Sequence, residues 1–244
     1  MRLLAAIGLG GLFVVGALLG IGIGAVIFPV SLWRRARAVH AEGVVCRAEI
    51  IARDPAAERL AGPALVRLSG AFEGMQGSSD VLGLDIRMQR AASQNAAEGD
   101  QDLLLGSFES FLTASRDRAA TNAGDFVANR YSTVTPWWLA AEGPVHLRLA
   151  PPPPAPADRG ADRLARLDAD LAAGRARFEL AVDAGGSTRA IGELKLLERL
   201  AIDDRTLRAS MFRTGRGLRP LGLRNGIRAT VYPISQAARR LRGG

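Results

Sequence analysis

Two side chains in this sequence have the type and the neighbours that proton transfer and ligand binding require. His40 is one of two histidines in the chain, and a neutral imidazole can accept and return a proton near neutral pH. Tyr232 lies four residues after Arg228 and is followed by Pro233. If this stretch is helical, Arg228 and Tyr232 share one face, where the guanidinium favours the phenolate form that can bind a metal ion.

Four segments that include these residues follow one another in a recognisable order. Residues 37–43 read Arg-Ala-Val-His-Ala-Glu-Gly, and residues 66–69 and 83–88 read as two strands, the first carrying an arginine and a serine. Asp102-Leu103 then leads to Asp125-Phe126, and residues 228–233 end in Tyr-Pro. In order and in internal spacing, these segments resemble the haem catalase family over about residues 35–242.

The resemblance implies a cofactor and a role for each matching residue. It implies haem b, with Tyr232 as the axial iron ligand and Arg228 stabilising its phenolate. His40 corresponds to the distal acid/base residue of the family, and Ser69 corresponds to the serine that orients the histidine ring. The family pairs its haem propionates with three arginines, which correspond here to Arg37, Arg67 and Arg239.

The sequence departs from the family at positions that bear on the substrate. The distal asparagine is replaced by Ser107, or by Phe108 if the alignment shifts by one residue, and neither has a carboxamide. Ala123 replaces a phenylalanine that stacks on the haem, and the segments that narrow the channel and build the tetramer are missing. A wider pocket that keeps His40 suits organic or lipid hydroperoxides better than hydrogen peroxide.

The function expected from the resemblance is a haem-dependent enzyme that acts on peroxides. It could be a peroxidase, an organic or lipid hydroperoxide-converting enzyme, or a weak catalase. The alternative is a non-enzymatic, membrane-anchored haem-binding or sensing protein. A third reading is a haem-free interaction module, against which the retention of Arg228 and Tyr232 argues. A homo-oligomer is left open.

Composition excludes several other classes of function. The net charge is +8, but no basic helix with interleaved aromatic residues is present, so nucleic-acid binding is not expected. Cys46 is the only cysteine, which excludes an intrachain disulfide and a cysteine-based zinc site. We expect Cys46 to be buried and inert, and His146, the second histidine, to be structural or surface-exposed.

The amino-terminal segment, residues 3–32, is almost wholly apolar and carries no charge. It is longer than the roughly 20 residues that a bilayer-crossing helix needs, and longer than the core of a cleaved signal peptide. Gly16, Gly20 and Gly24 share one helical face that permits close helix pairing. The expected organisation is a transmembrane anchor at 1–35 and a haem-binding domain at 36–244, with a slight arginine bias towards a cytoplasmic domain in the cell membrane.

The remaining pattern predicts an α+β fold with an antiparallel sheet or barrel. The resemblance implies a catalase-like closed antiparallel β-barrel with flanking helices, preceded by one transmembrane helix. The predicted strands cover residues 44–51, 64–69, 82–88, 145–149, 178–182 and 191–196. Residues 101–112 and 123–130 read better as helix or helix-loop. Residues 163–174 have helical apolar spacing and a glycine stop, and residues 228–242 form a final helix interrupted near Pro233.

Overall fold

Most of the chain after residue 42 alternates between strands and turns. In this computed structural model the described residues are 2–34, 40, 42–72, 79–110, 113–140, 142–156, 158–204 and 207–241. Within them the strands are β1 (Gly43–Ala52), β2 (Gly62–Gly70), β3 (Leu82–Met88), β4 (Gln101–Gly106), β5 (Tyr131–Ser132), β6 (Trp137–Leu139), β7 (Gly143–Ala150), β8 (Arg177–Ala184), β9 (Ser187–Leu200) and β10 (Leu218–Pro220). The helices are α1 (Arg2–Arg34), α2 (Ala114–Ala120), α3 (Arg163–Ala172) and α4 (Gly222–Arg240), and a 3₁₀ turn covers Pro55–Ala57.

Eight of the described strands close into an antiparallel β-barrel. Their order is β7-β5-β4-β3-β2-β1-β9-β8, and β8 pairs back with β7. The two remaining strands, β6 and β10, extend the sheet from β7. Closure gives every strand of the ring two neighbours, which removes the free edges of an open sheet. The predicted α+β fold with a closed antiparallel barrel is confirmed.

The barrel core follows from the alternation of side chains along each strand. In β1, Cys46, Ala48 and Ile50 are buried, whereas Arg47 and Glu49 between them are exposed, because successive side chains point to opposite faces. Strand β2 differs because it is buried on both faces from Ala64 onward. One face joins the barrel core, and the other is covered by chain segments outside the barrel.

Helices α1 and α4 pack side by side through the small residues of α1. A Cβ added at Gly16 would overlap the carbonyl of Leu223, and one at Gly20 would lie 2.8 Å from the carbonyl oxygen of Ile227. Thr230 Oγ1 donates a hydrogen bond of 3.1 Å to the carbonyl of Ala17. The glycine face therefore pairs with a helix of the same chain.

The length and composition of α1 agree with the predicted membrane anchor. Residues Ile7–Pro29 form a helix that is long and apolar enough to cross a bilayer. Apart from the glycine face, this stretch is largely exposed, and α1 also contacts β7.

The other predicted elements are mostly found, with three corrections. Strands β1, β2, β3, β7, β8 and β9 and helix α3 lie where the sequence predicts them. The helical interpretation of residues 101–112 is wrong, because Gln101–Gly106 is strand β4, paired along its whole length with β3. Residues 123–130 form turns, and α4 begins six residues before the predicted start, at Gly222, and continues through Pro233.

Candidate functional site around His40 and Tyr232

His40 has a backbone conformation that non-glycine residues rarely adopt. Its φ angle is +58°, in the left-handed region. Its amide nitrogen donates a hydrogen bond of 2.9 Å to the carbonyl of Ala71. A strained conformation of this kind persists only where the surroundings hold it, so the contacts around His40 are part of the site.

Strand β2 supplies most of these contacts from its outer face. Arg67 and Ser69 lie two residues apart, on the opposite face of β2 from the core residues Val66 and Leu68. Arg67 Nη2 donates to the carbonyl of His40 at 2.8 Å, and Ser69 Oγ lies 3.0 Å from His40 Nδ1. The structure therefore brings His40 and Ser69 together with the contact that the resemblance implies.

Gly83 lies directly beneath the imidazole ring. It pairs with Ser69 across β2 and β3. A Cβ at Gly83 would lie 2.6 Å from His40 Cε1, 2.8 Å from Nδ1 and 3.0 Å from Ser69 Oγ. Only a residue without a side chain leaves room for the ring in this position. The sequence analysis places Gly83 on a strand but assigns it no role in the site.

Arg67 already has a carboxylate partner within the chain. Its side chain is fully buried, and Nε and Nη2 donate to Asp204 Oδ2 at 2.7 and 2.5 Å. Nη1 has no hydrogen-bond partner and lies 3.8 Å from Asp85 Oδ2. A buried guanidinium requires such compensation. The resemblance assigns Arg67 to a haem propionate, and in this structure Asp204 binds its guanidinium.

Tyr232 and Arg228 lie on α4, one helical turn apart, as their spacing predicts. Tyr232 is half-buried and packs against the core. Arg228 Nη1 is buried and has no hydrogen-bond partner. Burial lowers the pKa of Arg224, and the nearby positive charge of Arg228 lowers it further. This part of α4 can therefore accept an anion such as a phenolate or a carboxylate.

The remaining predicted site residues divide into two groups. Arg37 lies outside the described residues. Arg239 lies within α4, where only its backbone is described. Ser107 Oγ accepts a hydrogen bond of 2.9 Å from the amide of Leu82 and lies 3.0 Å from Thr121 Oγ1. Ser107 thus joins the end of β4 to β3 and to the turn after α2.

Cys46 and His146, to which the sequence assigns no role in the site, both lie on strands of the barrel. Cys46 is buried in the barrel, and burial raises its thiol pKa to about 12, which keeps it protonated and inert. His146 lies on β7, where burial lowers its pKa and the nearby Asp183 opposes that effect.

Comparison with known proteins does not assign the chain to a family. No protein-family model matches it, and no curated protein matches it significantly. Among the described residues, no group of three or more His, Cys, Asp or Glu side chains could hold a metal ion. The features of this chain that bear on its function are therefore the geometry around His40 and the residues of α4.

Proposed function

We propose that this chain is a haem-dependent enzyme that acts on peroxides, with organic or lipid hydroperoxides as the favoured substrates. The observation that carries the proposal is the way His40 is held. Its backbone is strained, its ring contacts Ser69, and its position requires a glycine at residue 83. Strain of this kind costs about 1–3 kcal/mol and concentrates at functional sites.

His40 has a defined chemical role in this proposal. The contact of Nδ1 with Ser69 fixes the ring, and Nε2 then serves the substrate. The neutral ring takes the proton from one peroxide oxygen and returns it to the other, which promotes cleavage of the O–O bond. A bound haem supplies the ferric iron that polarises this bond.

The residues that would hold such a cofactor on the side away from His40 are those of α4. Tyr232 is the proposed axial ligand, and the buried, unpaired Nη1 of Arg228 can stabilise its phenolate. Arg37 and Arg239 are the proposed partners of the propionates. Arg67 can add to them only if it shares its guanidinium with, or gives up, Asp204.

A non-enzymatic haem-binding or sensing protein is the second candidate. The observation that favours it concerns the position of the family's distal asparagine, which the resemblance assigns to Ser107, or to Phe108 if the alignment shifts by one residue. Ser107 is bound to Leu82 and Thr121, so it cannot orient a peroxide as a carboxamide would.

The proposed location is the cytoplasmic face of the cell membrane, with α1 as the attachment. Arg34, Arg35 and Arg37 follow the apolar stretch, whereas Arg2 alone precedes it. Arginine-rich segments next to a membrane are retained on its cytoplasmic side, so these residues support a cytoplasmic position of the domain whether α1 crosses the bilayer or lies in one leaflet.

The chain offers matched controls for a direct test, because it has two histidines and two tyrosines. The detergent-purified protein is titrated with haem, and its absorption spectrum and hydroperoxide consumption are measured. Tyr232→Phe should lose the high-spin ferric spectrum, whereas Tyr131→Phe should keep it. His40→Gln should keep the spectrum and lose turnover by about 10²–10⁴-fold, and His146→Gln should keep both.

Three outcomes separate the candidates. A spectrum with turnover that depends on His40 supports the enzyme. A Tyr232-dependent spectrum without turnover in the unmodified protein supports the haem-binding or sensing protein. No uptake of haem by the folded protein contradicts both.

A further inference from the structure

The contact between α1 and α4 restricts how α1 can lie in a membrane. The contact extends from Leu9, which lies against Gly222, to Gly24, which packs on Ile234. This stretch of α1 is about 23 Å long at 1.5 Å per residue. The parts of α1 before and after it are about 10 and 15 Å long, and the hydrocarbon core of a bilayer is about 30 Å thick. Neither free end can cross a bilayer alone.

A crossing α1 would therefore take its neighbours into the hydrocarbon. Helix α4 carries Arg224 and Arg228 beside the contact, and α1 also touches β7 of the barrel. Charged side chains are strongly disfavoured at that depth, and the outer face of the barrel also carries exposed charges, such as Arg47 and Glu49 of β1. The only alternative is separation of α1 from α4, which exposes the face where Gly16, Gly20 and Gly24 now pack.

The exposed surface of α1 has the shape and chemistry of a helix that lies in the membrane plane. At about 100° per residue, its exposed positions cover roughly 200° of the circumference, and each is apolar or glycine. Leu18, Val14 and Val26 are 66%, 59% and 69% exposed. The remaining arc is covered by α4, which takes the place of the polar face that an interfacial helix normally has.

The segment of the chain that contains α4 carries charge of one sign. Residues 207–244 contain nine arginines and no aspartate or glutamate. All 24 acidic residues lie earlier, where the other 23 of the 32 basic residues balance them, so the last segment accounts for the net charge of +8. Arg219, on β10, is exposed next to the start of α4. Anionic lipid headgroups complement such a segment.

We propose that the α1–α4 pair is a monotopic membrane-binding surface. Helix α1 lies in one leaflet of an anionic bilayer with its exposed arc in the acyl boundary, and α4 holds it there with the barrel above. The proposal does not depend on haem, because it rests on packing, exposure and charge outside the His40 site.

The test is the sidedness of the two ends of the full-length chain. One cleavable tag is fused ahead of Met1 and another after Gly244, and membrane vesicles of both orientations are treated with protease. The proposal predicts that both tags are cleaved in the same vesicle orientation. Cleavage of the two tags in opposite orientations shows that α1 crosses the bilayer and overturns it. Recovery of the chain in the aqueous fraction, alone or as an oligomer of copies, also overturns it.

Two glycines of α1 provide a matched pair of variants. A side chain at Gly20 collides with α4, whereas a Cβ at Gly22 meets nothing within 4 Å. Gly20→Leu should free α1 to cross, so that the amino-terminal tag loses its accessibility while the carboxy-terminal tag keeps it. Gly22→Leu should leave both accessible. Equal behaviour of the two variants contradicts the role given to α4.

Discussion

At the residue scale, His40 is held by groups that fix its backbone and its ring separately. The backbone bonds to Arg67 and Ala71 maintain the left-handed conformation, and the ring contacts Ser69 above Gly83. A surface histidine in a loop would need none of these contacts. Their combination is what a proton-transferring residue requires, since small errors in position are costly in catalysis.

Gly83 provides a test of this positioning. In Gly83→Ala the new methyl group would lie 2.6 Å from His40 Cε1, so the ring must move. We expect hydroperoxide turnover to fall by about 10- to 100-fold while the haem spectrum is retained, because the proposed axial ligand, Tyr232, lies on another element, α4. Steady-state kinetics and the absorption spectrum measure the two effects. Gly22→Ala is the control, and turnover equal to that of the control contradicts the positioning role of Gly83.

The sequence predicts part of this site and misses the rest for a physical reason. The spacing within residues 37–43 and 66–69 is local, so the pairing of His40 with Ser69 follows from the resemblance. Gly83 acquires its role only through the register of β2 and β3. Asp204 contacts Arg67 across 137 residues of sequence, and no local pattern records such a contact.

At the element scale, the Arg67–Asp204 pair connects the barrel to the segment that follows β9. Arg67 is fully buried on β2, and the side chain of Asp204 is 12% exposed. The pair costs desolvation energy, so its net contribution to stability is small when it is intact. Removal of one partner is different, because it leaves a buried charge without its counter-ion.

Asp204→Ala is therefore expected to destabilise the protein strongly. Loss of one partner of a buried ion pair costs about 3–5 kcal/mol, and Asp85, 3.8 Å from Arg67 Nη1, favours the lower end of that range. Denaturant unfolding in detergent measures the change. Asp203→Ala removes an exposed neighbouring carboxylate and should cost less than about 1 kcal/mol. Equal effects of the two substitutions would show that Arg67 does not depend on Asp204.

The sequence predicts an element well where its pattern of apolar residues is long. It predicts poorly where hydrogen bonding to a neighbouring strand determines whether a segment is a helix or a strand. Strands β1 and β3 contain alternating apolar and charged residues over part of their length, and both are predicted closely. Strand β4 is a short run that periodicity cannot distinguish from a buried helix, and its Asp102 is buried because Arg87 pairs with it at 3.1 Å. Strands β5, β6 and β10 are two or three residues long, too short for any period. The early start of α4 includes Gly226, which packs on Phe13 of α1.

At the scale of the whole molecule, the arginine-rich last segment of the chain contains α4, the helix that packs on the apolar helix α1. The acidic and basic residues balance up to residue 206, and residues 207–244, which contain α4, carry arginines and no acidic residue. Apolar insertion and electrostatic attraction act together on interfacial helices. The two contributions can be separated because salt weakens only the second.

The final prediction concerns this separation. The purified protein should float with vesicles that contain anionic phosphatidylglycerol, and should bind neutral phosphatidylcholine vesicles more weakly. A rise in salt from about 0.1 M to about 1 M shortens the Debye length from about 10 Å to about 3 Å, so the preference for anionic vesicles should disappear while apolar binding remains.

Arg219→Gln should reduce that preference, because this arginine is exposed beside α4. The matched control, Arg47→Gln, removes an exposed arginine of β1 that pairs with Glu198, and should leave the preference unchanged. Binding that is equally strong to both lipids at low salt would mean that the arginines of residues 207–244 do not face the membrane.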